Sequence, residues 1–116
     1  MSLSRKQSDF LSDFAVLIIF INQQPDMYCT AGELFRTAYQ QRKYLEDGKS
    51  KTLKSKHLKR LAGDLNIFYH GLPIWDYEKD DQKRVLKPVR DKWNGLHEDN
   101  DCGLNWGWDF GHFERK

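Results

Sequence analysis

The chain has 116 residues, room for one domain with a modest core. Nineteen Lys and Arg face 17 Asp and Glu, so a net charge of +2 points to no partner class, and any electrostatic signal lies in how the charges are distributed. The longest apolar run, residues 15–21, is far short of the roughly 20 residues of a membrane span, and no cleavable leader pattern surrounds it. The two cysteines, Cys29 and Cys102, form no CxxC pair; free thiols and a cytoplasmic location are the expectation.

Residues 1–9 are polar and are expected to fray. Phe10, Leu11, Phe14, Leu17, Ile18 and Ile21 then recur at helical spacing. Val16, Ile19 and Phe20 lie off that stripe and require a second cover. A turn at residues 22–26 follows, because Pro25 disfavours helix at Gln24, and residues 27–29 suit a short strand. Thr30 and Glu33 have the form of a capping box for a second helix that would fade near Gly48.

Between Arg36 and Arg60 nine basic residues are opposed by Glu46 and Asp47 alone, a local charge of +7. In the following segment Thr52 is a candidate N-cap, and Leu58, Leu61, Ala62 and Leu65 mark the inner stripe of a helix over Thr52–Leu65. Lys56, Lys59 and Arg60 would then face outward. After Leu65 the aromatic and β-branched content predicts two strands and a charged hairpin tip around Glu78–Lys83. The end of the chain is acidic, −3 from His97 onward, and Leu104, Trp106, Trp108 and Phe110 alternate as in a one-sided strand.

Helix, strand, helix, basic helix and hairpin is an element order that resembles the winged helix-turn-helix superfamily, and residues 50–65 are similar to its recognition helix. The expected fold is α+β, mainly α: a flexible N-terminus at 1–9, a winged-helix domain at 10–93 and an acidic, aromatic extension at 94–116. The resemblance implies a DNA-binding transcriptional regulator that acts without catalysis or cofactor. Duplex contacts would come from Arg42, Lys43, Lys49, Lys51, Thr52, Lys54, Ser55, Lys56, Lys59 and Arg60, with Lys83 and Arg84 on the wing. A homodimer through residues 10–21 and 104–113 is the matching assembly.

The alternative is a winged-helix interaction module that binds a protein through the aromatic segment Trp106–Phe113. Residues 31–41 are also similar to the winged helices at the ends of phage and plasmid primases, which would make the chain a replication accessory of a mobile element. Trp106, Trp108 and Phe110 either cover the spare face of the first helix or form the contact surface. His57 reads as a surface or phosphate-contacting residue. His97, Cys102 and His112 match no zinc spacing, so no metal is expected. No P-loop or nucleophile motif occurs.

Overall fold

The computed structural model describes residues 1–52 and 54–116. Helix α1 (Leu3–Gln23) leads into strand β1 (Met27–Ala31) and helix α2 (Ala38–Glu46). A single 3₁₀ turn at Lys56–Lys59 precedes strand β2 (Ala62–Tyr69), and the short β3 (Leu72–Pro73) turns back on it. Helix α3 (Lys79–Leu96), strand β4 (Asn100–Cys102), the one-turn helix α4 (Gly103–Trp106) and strand β5 (His112–Arg115) complete the chain. The strands form one antiparallel sheet in the order β1-β2-β5-β4, with β3 on β2. The fold is therefore a compact α+β domain, with four α-helices among the described residues.

Helix α1 buries Phe10, Phe14, Leu17 and Ile21, at the spacing read from the sequence. It starts at Leu3, with the Ser2 side chain accepting from the Arg5 amide. Val16 and Ile19 stay exposed, and the Lys92 ammonium lies over Phe20, 5.5 Å from its ring centre. The aromatic tail therefore does not cover this face. Phe10 and Phe14 instead meet Trp93 of α3 edge-on, with ring centres 5.8 and 6.4 Å away, and Phe113 of β5 closes the cluster at 5.7 Å. The indole N–H of Trp93 donates to the Asp101 carbonyl at 2.8 Å.

Four sequence expectations are corrected here. Thr30 belongs to β1 opposite Asn66, and the capping box that starts α2 is made by Thr37 and Gln40. The Thr52–Leu65 helix does not form. Its Lys56–Lys59 turn ends at Arg60 in the left-handed region (φ 56°), and Ala62 onward is the sheet's inner strand. Leu53, which also belonged to that expectation, lies outside the described residues. Leucine spacing at 58, 61 and 65 fits a helix, but pairing with both β1 and β5 satisfies the same backbone and buries Leu65 and Ile67.

The expected wing is helix α3. Val85, Leu86, Val89 and Trp93 bury one side at helical spacing, Asp80 and Asp81 favour its N-terminus, and Pro88 sits on the exposed side. The alternating tail is not a strand at Leu104–Phe110: it turns through α4 and Gly107 before β5 begins at His112. No helix among the described residues is long and apolar enough to cross a membrane. Both cysteines are free.

Arg115 ties the two ends of the chain together. It is 3% exposed, forms an ion pair with Asp13 of α1 and donates from Nε to Asn100 at 2.6 Å. Arg115→Ala leaves the Asp13 carboxylate without its counter-charge in a largely enclosed position, and a loss of about 3–5 kcal/mol is expected. Urea unfolding followed by circular dichroism measures it; a loss below 1 kcal/mol ~ the level of an exposed pair ~ would contradict the account.

Candidate metal centre

The left-handed Arg60 turns the chain sharply between the 3₁₀ turn and β2, so His57 and Asp64 face each other across the bend. His57 Nε2 lies 3.3 Å from Asp64 Oδ1. The third member comes from the far end of the sequence. In the β2–β5 register Asp64 is directly opposite His112, whose Nδ1 is 3.0 Å from the same carboxylate oxygen. One ligand atom from each of the three residues falls within a 4.8 Å cluster. Both imidazoles are buried; the carboxylate is partly open to a cleft.

The surroundings fix both rings. His57 Nδ1 donates to the Leu34 carbonyl at 3.0 Å, leaving Nε2 toward Asp64. His112 Nε2 donates to Glu114 at 2.8 Å, leaving Nδ1 toward Asp64. Outer acceptors that orient imidazoles, with the inner nitrogens converging on one carboxylate, suit a zinc-type ion. The donor set fits such an ion with His57, Asp64 and His112 as its ligands.

The loops are held by backbone contacts. The Arg36 amide donates to the His57 carbonyl at 3.2 Å, and the Asp64 amide to the Glu33 carbonyl at 2.8 Å. Gly111 and Gly103 are positions of close approach: a Cβ at the first would overlap the Leu65 carbonyl, and at the second the carbonyl of Asp109. These contacts place Asp109, itself left-handed at φ 54°, with a carboxylate oxygen 3.9 Å from His112 Nδ1 and the side chain half exposed to the cleft. Burial pushes the Asp109 carboxyl above its ordinary range, against the pull of the nearby His112.

Burial alone would lower the affinity of His112 for a proton, but its hydrogen bonds to Asp64 and Glu114 outweigh that and hold its pKa at about 9. Asp64 is the reverse: burial works upward, and hydrogen bonds from His112 and His57 bring it down to about 2. In the metal-free protein the His112 contribution is complete below its ordinary value of 6.5 and disappears as pH rises through about 9. The Asp64 contribution is present above 3.8 and disappears as pH falls through about 2. The urea midpoint of chelator-treated protein should therefore fall between pH 6.5 and 9. A flat midpoint across that window would refute the coupling. Metal uptake should strengthen over the same interval, because an ion must displace the His112 Nδ1 proton.

A second polar network backs the cleft wall and reaches it through Arg36 and Ser55. Arg36 forms an ion pair with Glu33, donates to Gln41 Oε1 at 2.6 Å and reaches Ser55 Oγ at 3.3 Å. The Tyr44 hydroxyl donates to Glu33 at 3.0 Å, and the Arg36 guanidinium stacks 4.7 Å from the Tyr44 ring centre. Trp106 lies 5.5 Å from the His112 ring and 5.6 Å from Trp108, so the tail aromatics form part of the cleft.

The residues expected to contact DNA are divided among several places. Lys49, Lys51, Thr52, Lys54, Ser55 and Lys56 line the cleft beside the cluster. Arg42 and Lys43 are on the exposed side of α2, where Lys43 pairs with Asp47 at 3.8 Å. Arg60 stacks on Phe35 at 4.0 Å, and the Lys59 carbonyl accepts from Gln7. Lys83 and Arg84 are on α3, with Arg84 against Asp81 at 3.3 Å. His57, read as a surface residue, is buried, and His112 groups with His57 and Asp64 rather than with His97 and Cys102. One sequence signal pointed here: Asp64 is the single acidic residue among residues 50–65, seven places from a histidine.

No family model matches the chain, and no curated protein matches it. Among solved structures it is similar to the L-Ala D-Glu endopeptidase ChiX of Serratia marcescens, with a TM-score of 0.70 and 21% identity, over 94% of this chain and 79% of that one. The shared fold is thus that of an endopeptidase. This overturns the winged-helix resemblance, and with it the regulator, the duplex DNA partner and the interaction-module alternative. The non-catalytic expectation also gives way, since a His-Asp-His cluster lies in the cleft of an endopeptidase-like fold. The proposed dimer segments are used within one chain, where Phe10, Phe14, Leu104 and Phe113 join the core.

Proposed function

We propose that this chain is a metal-dependent hydrolase that cleaves a peptide bond of the L-Ala–D-Glu type found in cell-wall peptides. The observation that carries the reading is the convergence of His57, Asp64 and His112, with both histidines oriented by outer acceptors. The endopeptidase fold of the neighbour supports the substrate class.

His57, Asp64 and His112 would hold the ion, and when bound it supplies Lewis acidity to a carbonyl and acidity to water. Asp109 is the group for proton transfer. It stands at the cleft beside His112, where a carboxylate can take a proton from the attacking water and deliver it to the leaving amine. Glu114 holds the His112 ring in place and is a positioning residue. Arg36, paired with Glu33 and bonded to Gln41, braces the cleft wall.

The test is to strip the protein with chelator, reload it with zinc, and assay an L-Ala–D-Glu peptide by chromatography of the products. One ion per chain and zinc-dependent release of a free D-Glu amine are expected. A protein that takes up no divalent metal and leaves the peptide intact would end the proposal.

A further inference from the structure

Two depressions meet at the candidate metal centre. One, of about 590 Å³, contains Arg36, Lys49, Lys51, Lys54 and Lys56. The other, of about 510 Å³, is walled by Ile74, Trp75, Trp108 and Phe110, with Asn66, Gln82 and Lys79 at its polar edge. Asp64, Trp108 and Asp109 line both. They are the two arms of one groove, and a chain cleaved beside Asp109 must place one half in each.

The arms differ in charge. In the first, Arg36 is committed to Glu33, and Glu114 is bound to His112. The lysines that make ion pairs among the described residues are Lys43, Lys87 and Lys116, none of them in this arm. Lys49 rests 6.0 Å from the Tyr44 ring centre, while Lys51, Lys54 and Lys56 have no carboxylate partner among the described residues. In the second arm Lys79 is the one lining cation among the described residues, and aromatic surface dominates.

We propose that the groove sets substrate direction by charge: the leaving half, with its carboxylates, lies in the lysine arm, and the acyl half lies against Trp75 and Trp108. The assignment rests on the peptidase reading above. Hydrolysis of an L-Ala–D-Glu amide leaves a methyl side chain on the acyl side and the glutamate carboxylates on the amine side. Among the described residues the lysine arm offers Lys51, Lys54 and Lys56 as unpaired ammonium groups to receive them, against Lys79 alone at the edge of the other arm. Such exposed pairs steer and select more than they anchor, so their effect is salt-dependent.

The experiment measures binding of the leaving-side fragment, a D-Glu dipeptide with free carboxylates, against the same dipeptide with its carboxylates amidated. Isothermal titration is run on zinc-loaded and on metal-free protein, which separates lysine contacts from direct binding of a carboxylate to the ion. The acidic dipeptide should bind about tenfold tighter than the amide in both forms. The combined variant Lys51→Gln, Lys54→Gln, Lys56→Gln should erase that preference in the metal-free protein, as should added salt. Equal binding of the two dipeptides by metal-free protein, or a preference that survives in the triple variant, overturns the assignment. Hydrolysis of the full L-Ala–D-Glu peptide is scored separately. Its absence with the lysine-dependent preference intact defeats the peptidase reading and supports an acidic ligand for this arm.

Discussion

His112→Ala is expected to yield a folded protein that no longer retains zinc through gel filtration and no longer hydrolyses an L-Ala–D-Glu peptide. His112 is the member of the cluster supplied by β5, and its Nδ1 is 3.0 Å from Asp64. Removing it leaves one imidazole and one carboxylate, too few ligands for a tetrahedral site with an open position. Losing an outer partner of a ligand typically weakens metal binding by about 10–100-fold, and losing the ligand itself should exceed that. Glu114→Gln supplies the comparison, because it alters the acceptor of His112 Nε2 and leaves all three ligands in place. The core should survive, since Trp93, Phe113, Phe10 and Phe14 make no use of the imidazole. Unchanged zinc content in a folded His112→Ala protein would remove the central assignment.

Asp109→Asn is expected to separate binding from chemistry. Its carboxylate is 3.9 Å from His112 Nδ1, outside the cluster formed by the three ligand atoms. The amide is close in shape but cannot take a proton, so kcat should fall by about 10²–10⁴-fold while zinc content stays at one per chain. KM should change little if Asp109 serves proton transfer and not substrate binding. The pH profile carries the second readout. A carboxylate base gives the wild-type protein an acidic limb in its pH profile, and the variant should lose that limb. Full activity in Asp109→Asn would move the proton-transfer role elsewhere.

The sequence determined the parts of this protein that depend on local spacing. The stripe of Phe10, Phe14, Leu17 and Ile21 was legible because a 3.6-residue repeat returns side chains to one face whatever that face later meets. The run of lysines at 49, 51, 54 and 56 was equally legible, and those four side chains do line one cleft. The end of α2 near Gly48, left-handed at φ 74°, followed from glycine's freedom there.

Tertiary structure alone decided the rest. Leu58, Leu61 and Leu65 satisfy a helix on spacing, yet residues 62–69 became an inner strand because β1 and β5 were available on both sides to pair with it. Residues 79–96 carry a proline and β-branched residues, yet they form a helix whose buried side meets Phe10 and Phe14 through Trp93. The candidate metal centre depends on the same pairing. Asp64 and His112 are 48 residues apart, and no local pattern relates them. They meet because antiparallel register places them opposite each other, and hydrogen bonding between distant strands is a property of the folded chain.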